Sequence, residues 1–188
     1  QILLEQAQWE DAAMLLDSIV QDEKSPSPEL LYDRGLAHYN LGNYLVAAQA
    51  FEDAMSVGTE ATFKSNAAYN LGNAMYQNAM KSLEGMGTSE VTEDAIESIE
   101  AATSQINQSL NQYREAIKND STDDDARANG ELAWQMLRML DQMKEQMEEQ
   151  QQQQEQEDAQ EQEQEEQDQS DEESKQENQE GSDSKDQQ

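Results

Sequence analysis

Apolar residues recur along the chain at intervals of three and four as far as Met147, which is the spacing of one face of an α-helix. The pattern is clear where Ile99, Ile106, Leu110 and Tyr113 fall on one stripe. The alternation of apolar and polar residues that marks a half-buried strand is missing from the sequence. The pattern therefore predicts an all-α domain over residues 1–148.

Short local signals indicate where helices begin and end. Ser27 is a natural N-cap and Pro28 a natural first helical residue. Gly42 followed by Asn43 predicts a turn, and a last helix should begin near Asp123, where acidic residues favour the helix dipole. Because the chain opens inside a helical pattern, we expect it to be a piece of a longer protein, with residues 2–6 ending a first helix.

The helical pattern also repeats. Trp9 and Tyr44 are 35 residues apart, and so are Ala12 and Ala47. The repeat unit places small residues and one large aromatic residue at fixed positions, namely Gly35, Ala47, Phe51 and Ala54. These positions resemble the tetratricopeptide repeat (TPR), a helix–turn–helix unit of 34 residues. The resemblance implies a solenoid of paired helices in which Gly35 and Ala47 allow close packing and Phe51 fills the space beyond them.

A second copy begins at residues 69–76 and is interrupted. Gly72 and Ala116 are 44 residues apart, whereas the TPR consensus would separate them by about 19. Gly85 and Gly87 break the chain within the insertion, and the helical stripes continue on both sides of them. The sequence therefore predicts one elongated αα-hairpin whose two helices are each about three turns longer than usual.

Residues 126–133 and the Gln/Glu-rich run behind them resemble the closing repeat of a narrower group, the TPR proteins of bacterial aerotolerance (Bat-type) operons. The resemblance covers residues 69–73 and 113–154, and the long hairpin departs from it. It implies a place in an assembly at the bacterial cell envelope or periplasm. It also implies von Willebrand factor A proteins and MoxR-type ATPases as partners.

Charge and composition separate the chain into two parts. Of the formal net charge of −31, −15 falls on residues 142–188, where 18 acidic residues accompany three lysines. A segment so poor in apolar residues cannot offset its chain entropy, so residues 149–188 are predicted to be a disordered acidic Gln/Glu-rich tail. The helix should fray between Met147 and Gln160. The acidic charge argues against nucleic acid and anionic membranes as partners, and no apolar run approaches the ~20 residues of a membrane span.

The TPR resemblance places a binding groove on the first helix of each repeat. The positions carried over are Tyr32, Asp33, Leu36 and Tyr39, then Tyr69, Asn70, Asn73 and Tyr76, and finally Asn129 in the last helix. These tyrosines and asparagines would hold an extended peptide by stacking and amide hydrogen bonds. Alternatively, the tyrosines serve only to pack helix against helix. The groove lacks the basic residues that would clamp a carboxylate terminus.

The last helix carries a second candidate surface. Met136, Leu140, Met143 and Met147 step by four, three and four residues, like the edge of a coiled coil. Trp134 and Leu137 lie on a different side. The methionine seam is either a contact for a partner or a second copy, or the inner face of a capping helix packed on the helix that carries residues 106–117.

Other chemistry is sparse. His38, the only histidine, is interpreted as a packing residue, and Arg34 has Asp33 or a groove ligand as its candidate partner. A calcium loop spanning residues 120–131 is disfavoured because Asp125 stands where such a loop needs glycine. We therefore expect no enzyme, cofactor or metal, but an interaction scaffold that binds a partner peptide or helix through the groove. The alternative is a polyanionic chaperone or decoy that acts through the tail.

Overall fold

The computed structural model describes residues 8–84 and 92–183, and every regular element within these ranges is an α-helix. The helices are α1 (Trp9–Asp22), α2 (Pro28–Asn40), α3 (Tyr44–Val57), α4 (Ala61–Glu84), α5 (Glu93–Asn119) and α6 (Asp124–Asp183). The predicted all-α fold is confirmed. The helix end predicted at residues 2–6 and the break at Gly85 and Gly87 lie outside the described residues.

Caps and one glycine set the predicted helix boundaries. Ser27 Oγ accepts a hydrogen bond from the backbone N–H of Leu30 at 3.2 Å, so α2 begins with a capped first turn. Gly42 adopts a φ of 72° in the α2–α3 turn, a conformation that favours glycine. Asp123 Oδ1 accepts from the backbone N–H of Ala126 at 2.8 Å at the start of α6. These boundaries confirm the sequence signals.

Successive helices from α1 to α5 pack against one another in chain order. A cluster of Ala47 and Phe51 from α3 with Leu71 and Ala74 from α4 forms the centre of the core, and α2 packs against it. At the other end, Ala126 of α6 joins buried residues of α4 and α5. The domain is therefore a row of helix hairpins in which each hairpin buries one face of the next.

Two glycines let helices approach closely. A Cβ atom at Gly35 would lie 2.5 Å from the ring of Phe51, and one at Gly72 would lie 2.8 Å from the ring of Tyr113. The sequence predicted close packing at Gly35 and Ala47 with Phe51 filling the space beyond them, and the atoms nearest to Gly35 belong to Phe51. The two contacts are equivalent in the two hairpins, with tyrosine replacing phenylalanine in the second.

The second hairpin is elongated. Helices α4 and α5 have 24 and 27 residues, whereas α2 and α3 have 13 and 14. Ala79 of α4 and Ile99 and Ala102 of α5 are fully buried, so the predicted apolar stripes hold the two long helices together. Asn78 Nδ2 also donates to Gln105 Oε1 across the hairpin at 2.6 Å. The predicted extension of both helices is confirmed by these lengths.

The chain divides into two compact units, Gln1–Lys144 and Glu145–Gln188. In the second unit, helix α6 continues to Asp183. The structure therefore differs from the predicted disordered tail, because Gln and Glu are good helix formers and proline is missing there. It agrees with that prediction in one respect, since residues 148–157 have almost wholly exposed side chains and no buried face.

Candidate functional site

A pocket of about 200 Å³ opens where α2, α4 and α6 come together over α5. Its lining combines one residue of α2 with residues of the three later helices, namely Tyr39, Tyr69, Asn73, Tyr76, Gln77, Tyr113, Asn129 and Leu132. We call this the tyrosine pocket. Five of the residues predicted from the groove positions line it, so the structure brings together positions that are up to 90 residues apart in sequence.

Hydrogen bonds fix the polar side chains of the tyrosine pocket. Asn73 Oδ1 accepts from the hydroxyl of Tyr113 at 2.9 Å and from Nδ2 of Asn129 at 2.9 Å. Asn129 Nδ2 also donates to the hydroxyl of Tyr69 at 3.1 Å, which joins α6 to α4. These bonds hold the rings of Tyr69 and Tyr113 in fixed orientations, because both hydroxyls have protein partners.

The same asparagine-to-tyrosine contact occurs one hairpin earlier. Asn70 Nδ2 of α4 donates to the hydroxyl of Tyr32 of α2 at 2.6 Å, just as Asn129 of α6 donates to Tyr69 of α4. The first helices of successive hairpins are thus linked by an equivalent bond each time. The TPR resemblance implied that Tyr32 and Tyr69 are equivalent, but the partner asparagines could only be assigned from the fold.

The remaining predicted groove residues serve mainly to pack the helices. The ring of Tyr32 lies 5.4 Å from that of Phe51 and 5.6 Å from that of Phe63, and Leu36 packs against the α2–α4 core. Asp33 is half-buried, and burial together with the nearby carboxylate of Glu29 raises its pKa. Tyr32 therefore packs helix against helix, which was the alternative to peptide binding. Tyr39, Tyr69 and Tyr76 instead line the tyrosine pocket.

Tyr113 was not among the predicted site residues. The sequence assigned it to the apolar stripe of α5, and it is indeed buried, with 2% of its surface exposed. Its hydroxyl nevertheless reaches Asn73 in the tyrosine pocket. Burial raises the pKa of Tyr113, and the neighbouring phenols of Tyr69, Tyr39 and Tyr76 raise it further. The sequence did contain a signal for this role: Tyr113 occupies, in the second hairpin, the position that Phe51 occupies in the first.

The predicted methionine seam is not a continuous exposed edge. Leu140 is 1% exposed and Met136 is half-buried, so the middle of the seam faces inward. Met143 is 37% exposed, and Met147, in the second unit, is half-buried. Nearby, Lys144 Nζ pairs with Glu100 Oε1 of α5 at 2.6 Å. The burial of Leu140 and the ion pair between α6 and α5 are what the capping-helix alternative expects.

Trp134 and Leu137, which the sequence placed on the same side of α6, differ in burial. Leu137 is buried, but Trp134 is 45% exposed and lies beneath the guanidinium of Arg138, 5.0 Å from the ring centroid. It borders a shallow groove between α5 and α6 that is lined by Leu110, Tyr113, Arg114, Ile117, Arg127, Gly130, Glu131 and Trp134. This outer groove shares Tyr113 with the tyrosine pocket, but none of the residues predicted for the peptide-binding groove lines it.

A polar cluster joins α1 to α2. Asp17 Oδ1 accepts from Arg34 Nε at 2.6 Å and lies 3.1 Å from His38 Nε2. Arg34 therefore pairs with Asp17, not with Asp33 or a groove ligand. His38 is 7% exposed, as expected of a packing residue, and Asn43 approaches its other ring nitrogen at 3.5 Å. The cluster is a structural link between helices.

The aspartates around residue 120 form a turn and a helix start. Asp120 Oδ1 accepts from the N–H and the hydroxyl of Thr122 at 2.9 and 2.7 Å, and Arg127 pairs with Asp124 at 2.6 Å. Across residues 8–84 and 92–183, no group of three His, Cys, Asp or Glu side chains is arranged to hold a metal ion. None of the helices in these ranges is both long and apolar enough to cross a membrane.

Comparison of the chain with protein-family models, with curated proteins and with solved structures gave no match. The tyrosine pocket is therefore interpreted from its own geometry. Its lining offers aromatic rings, amides and hydroxyls, an arrangement suited to binding.

Proposed function

We propose that this protein is a non-enzymatic interaction scaffold that binds an extended peptide or a helix of a partner protein on the surface formed by α2, α4 and α6. The observation that supports this most is the convergence of Tyr39, Tyr76 and Asn129 in one pocket. The side chains come from three different helices and are half-buried, so they form a prepared surface. Peptide recognition commonly uses such aromatic and amide groups.

The TPR interpretation is consistent with this proposal. The hairpins pack in chain order, Gly35 and Gly72 each face an aromatic ring, and an asparagine-to-tyrosine bond links successive first helices. Under this interpretation the chain is a TPR solenoid of the Bat-type group. Its partners would then be von Willebrand factor A proteins or MoxR-type ATPases at the bacterial envelope, a proposal that depends on sequence resemblance alone.

The acidic tail supports a second candidate function, a polyanionic chaperone or decoy. Residues 142–188 carry a net charge of −15, and the described side chains of residues 148–157 are almost all exposed. Such a segment would attract basic proteins over distances of about a Debye length, roughly 8 Å at physiological ionic strength. Binding of this kind would need no particular groove residue.

Selection of peptides from a random library on the full chain separates the two functions. Selected peptides should bind a protein that lacks residues 149–188 as tightly as the full chain. They should lose binding to the double variant Tyr39→Ala with Tyr76→Ala, but not to the control Trp134→Ala, which changes the outer groove. Binding that disappears with the tail and survives the double variant would favour the polyanion instead.

A further inference from the structure

The size of the tyrosine pocket limits what it can hold. Its volume of about 200 Å³ lies below the roughly 300–1,000 Å³ of typical small-molecule and cofactor sites. A single long side chain is therefore a better match than a nucleotide or a cofactor. The pocket also adjoins the proposed peptide-binding surface, so that side chain would belong to the bound partner.

The walls of the pocket are rich in aromatic rings. Tyr39, Tyr69, Tyr76 and Tyr113 contribute to the lining, and the rings of Tyr69 and Tyr113 lie 6.1 Å apart at an angle of 50°. Burial raises the pKa of Tyr39, Tyr76 and Tyr113, so these phenols remain neutral at physiological pH. The faces of neutral phenol rings carry partial negative charge and attract cations.

Charge favours a cation over an anion in this pocket. Among the described residues that line it there is no lysine or arginine, and the chain as a whole carries a net charge of −31. A phosphate or carboxylate would therefore enter against the field of the protein and find no basic partner. An arginine or lysine side chain would enter with that field.

Two hydroxyls are available to receive hydrogen bonds. Within the described part of the chain, the hydroxyls of Tyr39 and Tyr76 have no protein hydrogen-bond partner, whereas those of Tyr69 and Tyr113 are engaged by Asn129 and Asn73. An entering N–H group would pair with a phenol oxygen. An apolar side chain would instead cover these hydroxyls without replacing their hydrogen bonds to water, which is unfavourable.

We propose that the tyrosine pocket receives one cationic side chain of the bound peptide, an arginine or a lysine, held between tyrosine rings and hydrogen-bonded to the hydroxyls of Tyr39 and Tyr76. This inference rests on the proposed function and specifies the partner as a basic peptide. The pocket supplies cation–π attraction together with hydrogen-bond acceptors.

The test uses N-acetylarginine amide and its neutral isostere, N-acetylcitrulline amide, titrated into the full chain while the tyrosine ring signals are followed by NMR. A salt concentration of about 1 M shortens the Debye length to roughly 3 Å, which removes long-range attraction to the acidic surface. The variant Tyr76→Leu removes a ring, and Tyr76→Phe keeps the ring without the hydroxyl. Trp134→Leu is the control for an exposed aromatic residue outside the pocket.

The arginine compound should bind about 2- to 30-fold more tightly than the citrulline compound, the range expected of a cation–π contact. Tyr76→Leu should abolish this difference, while Tyr76→Phe and Trp134→Leu should largely keep it. Equal binding of the two compounds would overturn the cation site. The proposed function would then still be tested by the peptides selected from the library. It is supported if binding of those peptides depends on Tyr39 and Tyr76, and it is wrong if their binding does not.

Discussion

Gly35 and Gly130 both lie within helices, yet their surroundings are opposite. A Cβ at Gly35 would lie 2.5 Å from the ring of Phe51, whereas the nearest atom to a Cβ at Gly130 is 3.7 Å away, on Tyr113. Gly35→Ala should therefore destabilise the domain by about 1–3 kcal/mol, and Gly35→Leu by more. Gly130→Ala should stabilise it by roughly 0.5–1 kcal/mol, because alanine is the better helix former.

Urea denaturation of the three glycine variants checks this prediction. Gly130→Ala serves as the matched control, since it makes the same chemical change in a helix without a close contact. An unchanged midpoint for Gly35→Leu would show that the close packing of α2 on α3 is wrong.

Ser65 and Ser109 form a second matched pair. Both side chains are buried, but Ser65 Oγ donates to the backbone carbonyl of Ala116 at 2.9 Å, while Ser109 Oγ forms no hydrogen bond of good geometry among the described residues, although this hydroxyl lowers the pKa of the nearby Tyr113. Ser65→Ala should cost about 1 kcal/mol of unfolding free energy. Ser109→Ala should cost nothing or stabilise, because it removes a buried hydroxyl that gains no bond. Equal losses in thermal melts of the two variants would contradict this assignment.

At the scale of the helix, the Asp17 cluster links α1 to α2. Partial burial on its own would raise the pKa of Asp17, but hydrogen bonds from Arg34 and His38 outweigh it and lower the pKa below its usual value of 3.8. The ionised carboxylate therefore stabilises the folded state fully above pH 3.8. This contribution is lost as the pH falls through the lower pKa of the folded state.

Asp17→Asn should accordingly lower the unfolding free energy at neutral pH. The side chain of Asp17 is 43% exposed, so solvent screening keeps the expected loss below about 1 kcal/mol. The gap between the variant and the original protein should narrow in acid, below about pH 3.8. Urea titrations of both proteins at neutral and acidic pH measure the gap directly, and a gap that stays constant would exclude a role for the charge.

Helix limits were predictable from the sequence because they depend on local chemistry. Ser27 and Asp123 cap helices, Gly42 allows the turn, and the distance from Gly72 to Ala116 required a longer hairpin. Contacts between distant segments were less accessible. The TPR resemblance assigned the groove tyrosines to the first helix of each repeat, but neither it nor the sequence gave any sign that Asp17 would be the partner of Arg34.

The same limit applies to faces of a single helix. The four–three–four spacing of the methionine seam identified a stripe on α6, yet the stripe alone could not show that Leu140 faces α5 while Trp134 faces outward. That assignment depends on how α6 is rotated against α5, where Gly130 lies at ordinary van der Waals distance from Tyr113 and Leu110. Packing between helices therefore decides which residues of an apolar stripe are buried and which are exposed.

At the scale of the whole molecule, the second unit combines a helix with a high density of like charge. Residues 148–157 have no buried face, and acidic pairs such as Glu157 and Glu161 oppose the helix at a spacing of four. We expect amide protons of residues 160–183 to exchange rapidly, because isolated helical turns open without breaking a core. Hydrogen-exchange mass spectrometry of the full chain gives the measurement, with α4 as the slow reference. Slow exchange across the tail would contradict this expectation.

The last prediction concerns self-association. Met139 and Met143 of α6 are 51% and 37% exposed, and exposed apolar residues of this kind are candidates for contact with a second copy. A net charge of −31 on each chain opposes such a dimer, most strongly at low salt where screening is weak. We therefore expect the protein to sediment as a monomer at low and at physiological salt. The double variant Met139→Glu with Met143→Glu should remain folded and monomeric, whereas Leu140→Glu should unfold because Leu140 is 1% exposed. A tight dimer at low salt that the double variant abolishes would show that these methionines bind another copy of the chain in spite of its charge.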